Sequence, residues 1–340
     1  MSGRDSLLAM LEALDAALPP ALFPGPALPP LRTLCAALPF MPCVGFECHL
    51  GAASPRVDLL AYTSERELLR KLLEGTPLGR VVTADEESRS LLESWVDAIL
   101  FEFDLDDSSR PRPPAVFLNF KPGAVVDGAS LAGLGTCLVG RLSKDAARML
   151  RQSAKAAADL GAQVTHLGAM SSRGGGPLRV NVGAADADML RKFVEAVGWG
   201  AEPRSHADAL LELAGPLAHH FVLAFDFVGG LRPRIGLECY MASAPGYGEH
   251  WRRFLMRLTG AGLCSRSEAA ALLKWPGLTA AAESSALSPG QARLATFLGP
   301  GRPASIHRTL NHVKLVAAPG EPTHAKAYLV ATQGWHDFEP

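Results

Sequence analysis

The sequence lacks an excess of either charge: 33 basic residues stand against 34 acidic ones, for a net charge of −1. Such a chain has no global attraction to nucleic acid or to an anionic membrane surface. It lacks paired cysteines as well. Its six (Cys35, Cys43, Cys48, Cys137, Cys239, Cys264) include no C-x-x-C spacing, which excludes a zinc knuckle and predicts packed, reduced thiols. It has no long apolar run able to cross a bilayer. The uncharged stretch Ala16–Leu31 carries Pro19, Pro20, Pro24, Pro26, Pro29 and Pro30, which forbid a membrane helix. Arg4, Asp5 and Glu12 interrupt any secretory signal, so a cytoplasmic protein is expected. There is no Gly-x-Ser-x-Gly elbow. Gly133-Leu134-Gly135 has neither the spacing nor the preceding strand of a phosphate loop.

A recurrent pairing is present instead: an apolar-rich strand, a turn, a second strand. It occurs at Val44–Leu50 with Arg56–Tyr62, Ile99–Asp104 with Ala115–Lys121, and Gln163–Met170 with Leu178–Val182. It recurs at Phe221–Phe227 with Arg234–Met241, and at Asn311–Ala317 with His324–Thr332. Each intervening turn carries the Gly, Pro, Asp or Ser that a chain reversal requires. Helical segments separate the pairs. Ser64…Glu67, Ser265…Glu268 and Ser288…Gln291 read as helix starts, and Lys144–Leu160 and Asp186–Val197 stop at Gly161 and Gly198. His206–Ala214 and Gly248–Leu258 are further amphipathic runs.

Strands joined by short turns are antiparallel, and the helices between hairpins must cover one face of the sheet. Closing ten strands into a barrel hides the other face and removes both edges. The expected architecture is therefore α+β: a closed ten-stranded antiparallel β-barrel of five α-β-β-α repeats with an outer ring of helices. A single domain spans residues 1–340, with a helical, Pro-rich segment at 1–40 and an irregular connection at 277–305. An open sheet with a wet polar face is the alternative.

Strand alternation then sorts side chains inward or outward. With Ile235, Leu237, Cys239 and Met241 under the helices, Glu238 and Tyr240 point inward. By the same rule the inward set contains Gly45, Glu47, His49, Arg56, Asp58, Leu60, Tyr62, Glu102, Asp104, Arg179, Asn181 and Asp226. The last hairpin adds His312, Lys314, Val316, His324, Lys326 and Tyr328. Three of the four tyrosines thus share the polar face, which suits a lined chamber better than a wet surface.

This layout resembles the barrel of the ABBA-type aromatic and peptide prenyltransferases, and the resemblance covers nearly the whole chain. It implies a transferase that moves an allylic prenyl group from its diphosphate to an aromatic or peptide side chain in natural-product biosynthesis. The family's acceptor-binding glutamate is matched by Glu47 in Gly45-Phe46-Glu47, and two of its diphosphate-holding bases by Arg56 and Arg179. Its cation-screening tyrosines have counterparts in Tyr240 and Tyr328. The inward parity adds Glu238 as a second candidate catalytic carboxylate, Lys314 and Lys326 as further diphosphate-binding candidates, and Tyr62 as a further shielding aromatic. Lys and Arg hold anionic leaving groups, aromatic faces stabilise a cation, and a carboxylate orients the acceptor.

The fourth hairpin departs from the family: Glu238 stands where a lysine is expected. The second offers a base only if Lys121 supplies it. The inward acids outnumber the inward bases, which disfavours an unaided diphosphate: either Mg²⁺ bridges it to carboxylates, with Glu102 and Asp104 as candidate ligands, or the ligand is of another kind, such as a cation. Asp104-Leu105-Asp106-Asp107 is otherwise a solvated turn, and His49, His312 and His324 are further candidate ligands beside Glu47 and Asp58. Another peptide- or natural-product-tailoring enzyme, or a non-catalytic small-molecule-binding barrel, is the alternative on the same fold.

Overall fold

A computed structural model describes residues 6–52, 56–64, 69, 72–79, 86–105, 113–171, 176–228, 230–241, 247–280 and 304–335. Five hairpins follow one another around a single sheet. They are β1 (Cys43–Leu50) with β2 (Val57–Thr63), β3 (Val96–Phe103) with β4 (Ala115–Phe120), and β5 (Gln163–Ala169) with β6 (Leu178–Ala184). β7 (His220–Phe227) with β8 (Leu231–Tyr240) and β10 (Ala304–Ala318) with β11 (Glu321–Trp335) complete the set. Every pairing is antiparallel, and β11 returns to β1 in a register running from Cys43↔Thr332 to Leu50↔Ala325. The ten-stranded ring is therefore closed, and the open-sheet alternative falls.

The last hairpin is longer than its sequence pattern. The segment read as an irregular connection at 277–305 contains β9 (Gly277–Ala280), which extends one rim by pairing with Ser305–Arg308 of β10. Its pattern hides because four residues are too few to show alternation. The start at Ser64…Glu67, the start at Ser288…Gln291, Asp106, Asp107 and most of that connection lie outside the described residues.

Nine α-helices are present among the described residues: α1 (Leu8–Leu14), α2 (Leu28–Ala37), α3 (Glu86–Trp95), α4 (Gly128–Val139) and α5 (Lys144–Leu160), then α6 (Ala187–Ala196), α7 (Ala201–Ala214), α8 (Tyr247–Gly260) and α9 (Arg266–Lys274). None is long and apolar enough to cross a membrane. Ser143 starts α5 by accepting from the Ala146 amide, and Gly161 ends it at φ 69°, a conformation that favours glycine. Ser265 and Glu268 form the expected capping box on α9. Glu268 also accepts from the Gly51 amide at 3.1 Å, which pins α9 to the end of β1.

The main core lies between barrel and helices. Phe46, Leu59, Phe101, Leu118, Val180, Phe225, Leu237, Leu315 and Leu329 are the outward residues of their strands. They form one buried cluster with Leu131, Leu150, Phe193 and Trp251 from the helices. Trp199 and Trp251 are buried in this core. A large-to-small change at such a site costs about 2–5 kcal/mol. The alternation read from the sequence is thus in register, and the other parity lines the lumen.

Candidate functional site in the barrel lumen

Neighbouring-strand register sets who meets whom inside. Glu47 on β1 lies opposite both Asp58 and Tyr328, and His49 lies opposite Lys326. Glu238 on β8 faces Lys314 on β10, Arg179 on β6 faces Asp226 on β7, and His312 faces Tyr328. All eleven candidate site residues fall among the described residues, and nine of them are on strands. Arg56 and Asp104 lie just beyond strand ends.

Each candidate base already holds an acid. Arg179 donates from Nε and an Nη to the two oxygens of Asp226, at 2.7 and 3.0 Å. Lys314 Nζ donates to Glu238 Oε1 at 3.0 Å. Lys326 donates to Glu47 Oε1. Arg56 reaches Asp58 at 2.8 Å and Asp104 at 3.1 Å. All but Arg56 and Asp104 in these four pairings are buried. Buried charges survive only when paired in this way. Lys121, the conditional substitute on the second hairpin, is not in the lumen: its ammonium donates to the carbonyls of Glu93 and Ser94 at the rim.

Two Lys–Glu–Tyr trios result. Tyr240 donates to Glu238 Oε2 at 3.1 Å, and Tyr328 donates to Glu47 Oε2. The His312 ring lies between the two phenols, 4.7 Å from the ring centre of Tyr240 and 4.1 Å from that of Tyr328. A β-bulge between Leu310 and His312 sets this position. Gly236 makes room for one trio, because a Cβ there would sit 2.5 Å from Lys314 Cε.

The lumen is not uniformly polar. Leu60, Leu100, Phe117 and Met170 form an apolar cluster with Tyr62 and Tyr328. Phe117 lies across Gly168, where a Cβ would come within 2.3 Å of its ring. Between this wall and the charged wall is a cavity of about 260 Å³. Tyr62, Glu102, Arg179, Glu238, Tyr240, Lys314 and Tyr328 line it, together with Asn119, His166, Asn181 and His312. Glu47, Arg179, Lys314, Lys326 and Tyr328 surround a second, smaller space beside it.

The electrostatics follow from burial and pairing. Burial raises the Glu238 carboxyl, but Lys314, His312 and His166 outweigh it and hold the group at about 2. Burial likewise opposes ionisation of Glu47, yet Lys326 and His49 hold it well below the usual carboxylate range. Both tyrosine hydroxyls in the trios are driven up, first by burial and then by their glutamates. Burial alone would weaken the Arg179 charge; Asp226 more than restores it. His312 goes the other way: burial pushes its imidazole down to about 4. Both glutamates are therefore ionised at neutral pH, while the two phenols and the ring between them are neutral.

Three potential metal-ligand groups do converge. Glu47, His49 and Asp58 bring their ligand atoms within 4.8 Å of one another. His49 Nε2 stands 3.0 Å from Asp58 and 3.2 Å from Glu47. This is part of the His49–Glu47–Asp58 grouping expected from the sequence, without His312 or His324. Glu102 and Asp104 do not join a third such ligand among the described residues.

Sequence reasoning placed Leu60 inward but missed the rest of the apolar wall and the polar residues Asn119 and His166. For Leu100 the signal was available, two residues before the inward Glu102. On β4 both faces are apolar, so alternation carried no contrast. On β5 a register shift between Val164 and His166 breaks the period.

No family model matches the chain, and no curated protein matches it. Among solved structures the chain is similar to prenyltransferase PriB. Against its apo form the TM-score is 0.48 at 15% identity, covering 97% of this chain and 94% of that one. Against the PriB binary complex with product diphosphate the TM-score is 0.45 at 14% identity, over the same shares.

Proposed function

We propose that the protein is a prenyltransferase-like enzyme that moves an allylic prenyl group from its diphosphate to an aromatic or peptide side chain inside the lumen. The observation that carries this reading is the two-sided cavity. Tyrosines and an apolar wall of Leu60, Leu100 and Phe117 face two buried cations, Arg179 and Lys314, across the larger space, and Lys326 joins those two around the smaller one. Ionising an allylic C–O bond gives a cation and an anionic diphosphate, which need opposite surroundings a few ångströms apart. The aromatic wall stabilises the cation and excludes water. The three cations hold the leaving group, sharing it with the carboxylates they already pair.

The acceptor's π-electrons form the new C–C bond, and its ring proton leaves to a carboxylate. The ionised Glu238 and Glu47 are weak bases. That suffices for a proton on a cationic ring carbon, and both are good hydrogen-bond acceptors for orienting the acceptor.

The lumen acids outnumber its bases, and Mg²⁺ fits into that imbalance. Glu47 and Asp58 would each give it an oxygen, the diphosphate would supply others, and the ion would add positive charge at the leaving group. No membrane or nucleic-acid partner is part of this reading.

The test is calorimetric binding of dimethylallyl and geranyl diphosphate, with and without Mg²⁺, followed by mass analysis of reactions with phenolic, indolic and peptide acceptors. Binding that weakens in Lys314→Met and Lys326→Met is expected. No binding of any allylic diphosphate under either condition would end the proposal. In that case a non-catalytic small-molecule-binding barrel, or another tailoring enzyme, takes its place.

A further inference from the structure

The basic end of the lumen is filled by the protein itself. The smaller space has a volume of about 10 Å³, room for about one water. Arg179, Arg234, Lys314 and Lys326 line it, and Glu47 is the one acid among the described residues that do so. Glu47 is 1% exposed and accepts from Lys326 through Oε1 and from Tyr328 through Oε2. Glu238 holds the next cation in the same manner. Its Oε1 accepts from Lys314 at 3.0 Å and from Asn181 at 3.1 Å, and its Oε2 from Tyr240 at 3.1 Å. In each case a carboxylate takes from a lysine the contact that a bound anion would take, and neutral donors fix that carboxylate in place.

We propose that Glu47 and Glu238 are built-in competitors of an anionic ligand: each occupies the cation the ligand needs, so the anion binds only as the carboxylate gives up its lysine. That the anion is an allylic diphosphate rests on the transferase reading; the competition rests on these contacts alone. A diphosphate is several times larger than one water, so it enters this end only if side chains move. Lys314 and Lys326 are the ones free to move, each a compact ammonium with three donors on a flexible four-carbon stem. The glutamates stay behind, Glu47 anchored by Tyr328 and Glu238 by Tyr240 and Asn181. A carboxylate left in the lumen without its cation is unfavourable, and that cost lowers the affinity for the anion. Neutralising either glutamate therefore strengthens anion binding, the opposite of what losing an ordinary ligand-binding residue does.

Inorganic diphosphate tests this, titrated calorimetrically into the full chain with EDTA present, so that no metal ion bridges the acids. The pH is 6.0, which favours the ammonium form of Lys314 against the downward push of burial. Glu47→Gln and Glu238→Gln keep the shape and an accepting oxygen but remove the charge. Each should bind diphosphate at least about tenfold more tightly than the wild type, the worth of one charge-assisted hydrogen bond returned to the ligand. The gain should fall to within about twofold when Glu47→Gln is combined with Lys326→Met, and Glu238→Gln with Lys314→Met. A gain that persists without the lysine reflects only a less negative lumen and would overturn the proposal, as would equal or weaker binding by either glutamine variant. A second readout needs no variant. In wild-type protein labelled with ¹³C-glutamate, saturating diphosphate should shift a glutamate carboxylate band in the infrared difference spectrum, and an unchanged carboxylate region would overturn the proposal too. If allylic diphosphates bind but the glutamine variants gain nothing, this inference falls and the transferase reading stands. If the gain appears and no prenyl transfer occurs, the transferase reading falls and this one stands.

Discussion

The neutral imidazole between two tyrosines makes the stability of the barrel acid-sensitive between pH 6.5 and pH 4. The group is held at about 4 in the folded chain and returns to the ordinary 6.5 on unfolding. Between those values the unfolded chain binds the proton and the folded chain does not, so stability rises with pH and is lost as pH falls from 6.5 toward 4. That gap corresponds to about 3 kcal/mol in full, most of which falls between pH 7 and pH 4.5. His312→Phe removes the titration while keeping a ring in the stack. Urea unfolding followed by circular dichroism at the two pH values gives four free energies. The loss on acidification should be smaller in the variant by about 2 kcal/mol. His49, His166, His220 and His324 also titrate differently in the folded chain. They are common to both proteins and cancel in the comparison. Equal acid losses in the two proteins would refute the account, because His312 would then be hydrated or charged in the folded lumen.

Three other outcomes follow from the same contacts. Asp226→Ala leaves the Arg179 guanidinium buried without its partner and should cost about 3–5 kcal/mol in urea unfolding, whereas Arg179→Met with Asp226→Leu should recover most of that. Gly168→Ala places a methyl 2.3 Å from the Phe117 ring. It should cost about 1–3 kcal/mol in the same assay, and Phe117→Leu should relieve it. Glu238, held at about 2, contributes stability that is present above its ordinary 4.5 and is lost as pH falls from 4.5 toward 2. Glu238→Gln should therefore be less stable near neutrality, with Lys314 left unpaired, and should show a flatter acid limb in stability measured from pH 5 to pH 2.5.

Much of the barrel was legible because its outward parity is contrasted. Along β8, Ile235, Leu237 and Cys239 alternate with Gly236, Glu238 and Tyr240, and one glance assigns both faces. The helices were legible where a cap or a terminal glycine marks them, as at Ser143 and Gly161. β9 and the first residues of β10 were not, since they lie in a segment rich in Ala, Ser, Gly and Pro that carries no period. The inward placement of the charged side chains was legible, but their pairing was not. Which acid meets which base depends on the register between strands far apart in the chain, and Glu47 reaches Lys326 only because β11 closes on β1. The apolar half went unread on β4, where Val116 and Leu118 on one face and Phe117 on the other are alike in character.

That register also explains why an acid-rich lumen can exist at all. Arg179 lies opposite Asp226 and Lys314 opposite Glu238, each on the adjacent strand, while Lys326 and Glu47 are diagonal neighbours on β11 and β1. Charge is balanced locally, strand pair by strand pair, so no buried ion depends on a distant one. A slip of one residue in any of these pairs would turn a base toward the helices and leave an acid alone in the lumen. The cost of several kcal/mol per stranded ion makes each pair a lock on the closure of the ring. The same arrangement limits what the lumen does with its charges. A cation already bound to a carboxylate attracts an anionic ligand weakly until that carboxylate is shared, protonated or drawn to a metal ion.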